Sequence, residues 1–317
     1  MKYSSSIPHL GILISVGMLP ACVADSPRES AEHGDLLGAA VDPGDTWSVG
    51  VCAGPLNTDP TAGNIGACLT PGTRCSGTLI APNLVLTSRH CVHQIDRSNA
   101  TGPCDAVFTT TPLTDSIVRV TTNPSVLDAS PTWFDVAQIF VSPVSNQSCA
   151  GDVAVLRLAA PVPPSQAKPV TVDLASLPAH LPNEVAIVGR GAIATVYDTQ
   201  TGALISNDNG GFQRRKQEHI PVVCLANHAP FCQAPDIGEP FVADPFFLQI
   251  GQSISSGDSG AACIRQVDLN QGVVKVIAVS NGVSVDPVTG IPNFAFAVRL
   301  DWHASFIRPL LLLGGMP

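Results

Sequence analysis

Apolar and polar positions fall into short runs separated by Gly, Pro, Asn and Asp along most of the chain. Runs of this length, rich in Val, Ile, Leu and Thr and bounded by turn residues, predict strands rather than helices. In the first half the predicted strands are Trp47–Val51, Cys75–Ile80, Leu84–Ser88, Ile117–Thr121, Val136–Val141 and Val153–Leu158. Cys75–Ile80 and Leu84–Ser88 flank Pro82-Asn83 and read as one hairpin. Ala159–Pro169 holds four prolines and reads as a linker. Beyond it, Glu184–Gly191, His219–Ala226, Phe246–Ile250, Cys263–Val267, Val273–Val279 and Phe294–Leu300 are predicted strands. The last stretch, 301–313, carries the apolar residues Trp302, Phe306, Ile307 and Leu310. The chain is therefore expected to be all-β, in two halves.

The N-terminus differs. Lys2 followed by the apolar stretch Ile7–Leu19 reads as an export signal, too short to span a bilayer. Leu19-Pro20-Ala21-Cys22 resembles a bacterial lipoprotein cleavage site with Cys22 as the lipidated residue, although Pro20 departs from the usual small residue. Cleavage after Ala24 by an ordinary signal peptidase is the rival reading. Either way residues 1–24 are assigned to export and the protein to an extracytoplasmic place, free or lipid-anchored. Residues 25–46 read as a linker or propeptide, and 47–317 as the folded domain.

Composition narrows the function. A net charge of −9 gives nucleic-acid binding no support. Ten cysteines point to an oxidising compartment, and the absence of matched Cys-x-x-Cys pairs argues against a zinc site. Cys52–Cys68, Cys104–Cys149 and Cys224–Cys232 are plausible local bridges, with Cys263 able to compete in the last pair; spacing alone leaves the connectivity open.

Three stretches carry chemistry. Gly257-Asp258-Ser259-Gly260 sets a serine between glycines, where its Oγ can be exposed and the N–H groups of Gly257 and Ser259 can converge on an oxyanion. Alone, this string reads as an Asx-type turn between two strands. The hairpin ending in His90-Cys91 supplies a base, and Gly151-Asp152, opening the apolar run Val153–Leu158, supplies a carboxylate. The order His, Asp, Ser separates this chain from the subtilisin and α/β-hydrolase orders, and together the three stretches resemble the trypsin/chymotrypsin-like serine endopeptidases.

That resemblance implies two antiparallel six-stranded β-barrels, about 47–160 and 180–300, with a C-terminal helix over 301–313. It implies Ser259 as nucleophile, His90 as base, Asp152 as its orienting partner, a Cys75–Cys91 disulfide, and an oxyanion hole from Gly257 and Ser259. Ser253 would form the base of the primary pocket, Ala295 its far wall and Gly282 its open mouth. Ser280 would hydrogen-bond Asp152, while Asn281 and Gly282 offer backbone to an extended peptide. Serine rather than aspartate at 253 implies an uncharged residue before the scissile bond. Asp258 would pair with a new N-terminal amine, for which Leu36 is the nearest match, or with an internal cation such as an arginine. The family's usual partner for Cys263 would fall near Val185, so that bridge is missing or re-paired. His93 is expected at the surface. The implied enzyme needs no metal or cofactor, acts on polypeptides and works as a monomer. Two other readings stand: a binding or surface protein that has lost catalysis, and an acyl esterase using the same three residues.

Overall fold

The structure, a computed structural model, describes residues 30–33, 39–69, 72–100, 106–113, 115–128, 131–177, 184–191, 194–198, 204–208, 212–225, 247–250, 254, 256–285 and 292–314. In chain order the strands are β1 (Ser30–His33), β2 (Ala40–Val41), β3 (Ser48–Ala53), β4 (Thr73–Ala81), β5 (Leu84–Thr87), β6 (His93–Asp96), β7 (Val107–Pro112), β8 (Val118–Thr121), β9 (Trp133–Val141), β10 (Ala154–Leu158), β11 (Thr171–Val172), β12 (Glu184–Gly189), β13 (Ala194–Asp198), β14 (Leu204–Asp208), β15 (Arg215–Leu225), β16 (Phe247–Ile250), β17 (Ala262–Arg265), β18 (Lys275–Val285) and β19 (Pro292–Arg299). Two helices are α1 (Gln266–Asn270) and α2 (Ala304–Leu313).

The strands close into two antiparallel barrels. The first runs β10-β5-β4-β3-β8-β9 and closes through β9–β10. The second runs β18-β17-β12-β15-β16-β19 and closes through β18–β19. Closure removes the unpaired edges that an open sheet would expose. β2 adds to β15, β11 lies parallel to β18, β6 and β7 form a hairpin, and β1, β13 and β14 form a separate sheet. β1 and β2 fall within the stretch read from sequence as a linker.

The near-continuous apolar runs are explained by burial on both strand faces. Leu84, Val85, Leu86, Val153, Ala154, Val155 and Leu156 are all fully buried. One apolar cluster runs from Val49, Leu79, Leu86 and Val155 through Val188, Ile264 and Val279 of the second barrel to Ile307 and Leu310 of α2. Burying each such Val, Leu or Ile contributes about 1.5–3 kcal/mol, set against its ordering entropy. A smaller cluster, including Val185, Ile187, Ile220 and Ile277, fills the second barrel.

The seam between barrels is polar in part. The buried Arg190 guanidinium donates to the carbonyls of Ser48 at 2.7 Å, of Asn123 at 2.6 Å and of Pro124. Arg214, also buried, donates to Asp42, Pro43 and the same Ser48 carbonyl. Burial, reinforced by the Arg214 charge, pushes the Arg190 pKa down to about 9. It thus ties loop backbone of the first barrel to the strand end that leads into the site.

Several expectations change. The strand predicted to Val267 stops at Arg265 and turns into α1, where Gln266 is buried and accepts the His219 N–H at 2.9 Å, leaving Val267 exposed. Trp302 precedes α2 in a 3-10 turn and is exposed, 6.0 Å from the Arg299 guanidinium, so it does not join the buried face of α2. His93 is buried, not at the surface, because its ring meets the edge of Phe108 from β7 at 5.6 Å. The bridges Cys52–Cys68 and Cys75–Cys91 are formed. Cys149 is disulfide-bonded, while its suggested partner Cys104 lies outside the described residues, as do Cys22, Cys232 and the Cys224 side chain. Cys263 is a free buried thiol whose pKa burial drives upward.

Candidate active site

His90, Asp152 and Ser259 come from three separate elements; Asp152 holds His90 directly, and Asn281 approaches both Asp152 and Ser259. His90 sits in a 3-10 turn over Arg89–Cys91, just after β5. The Asp152 side chain is 1% exposed, and its segment leads into β10. Its Oδ1 accepts the His90 backbone N–H at 2.7 Å and its Oδ2 lies 2.6 Å from His90 Nδ1. Both carboxylate oxygens therefore fix one histidine, the first its backbone and the second its ring. A ring nitrogen of His90 and the two sulfurs of the Cys75–Cys91 bridge lie within 4.8 Å of one another. Cys91 Sγ is in turn 3.8 Å from the Ser259 carbonyl oxygen.

Ser259 lies on a tight loop held from both sides. Its carbonyl accepts the Ser76 N–H at 2.8 Å, and the Gly260 N–H donates to the Ser280 carbonyl at 2.8 Å. Gly257 and Gly260 have φ of 101° and 86°, in the left-handed region. A Cβ on Gly260 would stand 2.1 Å from the Ser76 carbonyl oxygen, and one on Gly257 2.7 Å from the Phe212 ring. Only glycine lets this loop pack so closely against β4 and Phe212.

The family profile described as Trypsin matches residues 64–298. This chain belongs to the trypsin family. Among curated proteins none matches. Two solved structures share the fold: the scabies mite inactivated protease paralogue S-D1, at 14% identity and TM-score 0.56, covering 86% of this chain and 94% of that one; and paralogue S-I1, at 14% and 0.50, covering 84% and 95%.

Against the family pattern, the aspartate's third partner has moved. Ser280, expected to bond Asp152, pairs through its backbone with Ala261, while its own Oγ is buried outside this network. Asn281 does the work instead, its Nδ2 donating to Asp152 Oδ2 at 2.7 Å and more weakly to the Ser148 carbonyl at 3.5 Å. The same residue's carbonyl oxygen lies 3.5 Å from Ser259 Oγ. Asn281 thus touches both ends of the site. The reason is a bulge: the β18–β19 register shifts between Ser280 and Gly282, so Asn281 is the extra, unpaired residue and its side chain is re-aimed at the aspartate. Removing a hydrogen bond to a charged group costs about 1.5–3 kcal/mol. Asn281→Ala is accordingly expected to lower kcat by roughly tenfold or more with little change in KM, read from steady-state rates on one peptide.

Ser76 is a further participant that sequence reasoning missed. Its Oγ donates to the Gly257 carbonyl at 2.8 Å and accepts the Arg190 N–H at 2.9 Å, fixing the peptide plane beside the nucleophile. Its only signal was a small polar residue in the motif between Cys75 and Gly77. Asp258 is fully buried, with Oδ1 accepting the Gly191 N–H at 2.7 Å. The guanidinium of the adjoining Arg190 is taken up by the carbonyls of Ser48, Asn123 and Pro124. Leu36 and Ser253 lie outside the described residues. Gly282 is next to Asn281 on β18 opposite Phe296, with open space where a Cβ would be, and Ala295 is buried opposite Val283.

Charge at the site is governed by the histidine. Burial opposes a charged His90, but the Asp152 carboxylate and its hydrogen bond outweigh burial, so the imidazole pKa is raised above its ordinary 6.5, with Arg97 opposing. Behind it, the Arg89 guanidinium lies 4.1 Å from the Phe108 ring centroid and bonds Asn146. Among the described residues the one cluster of metal-ligand types is Cys75, His90 and Cys91, whose sulfurs are bonded to each other and so offer no thiolate. No helix of the described residues is long and apolar enough to cross a membrane.

Proposed function

We propose that this trypsin-family chain is a serine endopeptidase that cleaves polypeptides through His90, Asp152 and Ser259. The observation that carries the reading is the double hold of Asp152 on His90, at 2.7 Å to its backbone and 2.6 Å to Nδ1. With Nδ1 as donor to the carboxylate, the proton-free nitrogen is Nε2, as a general base requires. Ser259 Oγ attacks the scissile carbonyl carbon as His90 takes the hydroxyl proton. The resulting oxyanion is met by the N–H groups of Gly257 and Ser259. Collapse breaks the C–N bond, and His90 returns the proton to the leaving amine. Water then repeats the sequence on the acyl ester and frees Ser259. Asp152 stays ionised and stabilises the imidazolium. No metal or cofactor enters these steps, and a single chain supplies all of them, so the protein acts as a monomer.

The acyl side of the peptide adds along β18, with Asn281 and Gly282 offering backbone. Ser253 at the pocket base and Ala295 at its wall give a preference for an uncharged residue before the scissile bond. The domain works outside the cytoplasm, where its disulfides form, with a lipid on Cys22 as the one route to a membrane. The two mite paralogues are inactivated proteases by name; in this chain the three side chains and their supports are all present, which favours catalysis over the binding-protein reading. The esterase reading separates on matched ester and amide substrates.

The deciding test is labelling with a fluorophosphonate probe across pH, with peptide mapping. Label is expected on Ser259, rising as His90 loses its proton. Because the His90 pKa is raised, the half-point is expected above 6.5. The sign for stability is opposite. A folded pKa above the unfolded value makes the His90–Asp152 pair contribute most below about pH 6.5, and that contribution fades as pH rises through the folded value. Labelling that is flat between pH 5 and 8 would sink His90 as the base.

A further inference from the structure

The seat prepared for the acyl half of a substrate is on β18, and the opposite flank of Ser259 has a different character. That flank is built from the Cys75–Cys91 bridge, from β4, and from the loop of Gly257 with Phe212 packed beneath it. Arg74 precedes Cys75 and is two residues from Ser76, whose N–H holds the nucleophile's carbonyl. Its guanidinium lies 5.3 Å from the centroid of the same Phe212 ring. Nε donates to the Cys68 carbonyl at 3.1 Å. These contacts fix the plane of a half-buried guanidinium, and among the described residues its two terminal nitrogens have no acceptor. No carboxylate among the described residues pairs with it. Phe212 itself holds a positive φ of 47°, an unusual conformation for a bulky residue, in placing its ring between Arg74 and Gly257.

A second cation lies near the histidine. Arg97, exposed at the end of the β6 arm, is close enough to His90 to oppose its protonation. Its neighbour Asp96 is engaged by the Ser98 N–H at 2.9 Å.

We propose that Arg74, seated on Phe212, selects a carboxylate on the leaving-group side of the scissile bond, within the first two residues after it. A planar, pre-oriented guanidinium suits bidentate carboxylate recognition, since little side-chain freedom remains to be lost on binding. The selection rests on the proteolytic reading of the site, but its binding component is measurable without turnover.

The test uses internally quenched peptides identical on the acyl side, with Glu, Ala or Lys at the first or second position after the scissile bond. Each has an amidated C-terminus, and one set of short peptides has a free one. Rates are normalised to the active fraction from probe labelling. Wild type is expected to favour Glu over Lys by about tenfold or more in kcat/KM, Arg74→Ala to flatten this, and Arg74→Glu to reverse it. Loss of the preference at high salt supports the same assignment. A preference confined to free C-termini identifies the carboxylate as terminal, and one present in amidated peptides identifies an acidic side chain. Equal cleavage of Glu and Lys peptides by wild type, or a Glu preference that survives Arg74→Glu, overturns the proposal. Anisotropy of the same peptides, fluorescently labelled, on Ser259→Ala protein reads the preference as affinity. A Glu preference there without any turnover by wild type would retain the carboxylate site while removing the endopeptidase reading.

Discussion

Ser259→Ala is expected to lower kcat by about 10⁶ and to abolish fluorophosphonate labelling while leaving the fold intact. The size follows from what the residue alone supplies. Without Oγ no acyl-enzyme forms, and His90 and Asp152 have nothing to activate but water. The residual rate is that of peptide binding and oxyanion stabilisation, about 10³–10⁴ over water. The loop itself should survive, because its contacts are backbone ones: the Ser259 carbonyl to Ser76, and Gly260 to Ser280. Ser259 Oγ makes only the long 3.5 Å approach to the Asn281 carbonyl, so little stability goes with it. Rates, probe labelling and thermal unfolding of the one variant separate the chemical role from a structural one. A variant that keeps more than about a hundredth of the wild-type rate would place the nucleophile elsewhere.

The three catalytic stretches were legible in the sequence because each is local. A hairpin with Pro82-Asn83 at its turn delivers His90, an apolar run places Asp152 at its start, and glycines at 257 and 260 declare a loop that no side chain could enter. Strand identity was legible for the same reason in β5, β8 and β10. What was hidden depends on pairing across long separations. Whether Ser280 or Asn281 faces Asp152 is decided by the bulge of β18 against β19 between Ser280 and Gly282, and a shift of one residue exchanges the two faces. His93 is buried because Phe108, in a strand of weak pattern, folds over it. Arg190 lies in a predicted strand, and its carbonyl acceptors at 48, 123 and 124 have no spacing that a sequence displays. The end of the strand at Arg265 depends on Gln266 finding the His219 amide.

Asp152→Asn is expected to lower kcat by about 10⁴ with the histidine still in place, and the geometry explains why so small a change costs so much. Three N–H donors converge on the Asp152 carboxylate: the His90 backbone at Oδ1, and His90 Nδ1 with Asn281 Nδ2 at Oδ2. An asparagine at 152 has one acceptor oxygen. The His90 backbone N–H cannot reverse, so it claims that oxygen. The new NH₂ then faces His90 Nδ1 and Asn281. The ring can meet a donor there only by accepting, which places its proton on Nε2, the nitrogen that must be free to take the Ser259 proton. Asn281 can flip its amide and present Oδ1 to the new donor, so the fold accommodates the change while the base carries the wrong tautomer. The loss of the carboxylate also removes the cause of the raised His90 pKa, leaving burial and the Arg97 charge both to lower it. Two readouts follow: kcat reduced about 10⁴-fold, and a His90 titration, by NMR of the imidazole, moved to lower pH. An Asp152→Asn protein that titrates His90 as wild type does would show that the carboxylate is not its partner, and the assignment of the site would have to be rebuilt from Ser259 outward.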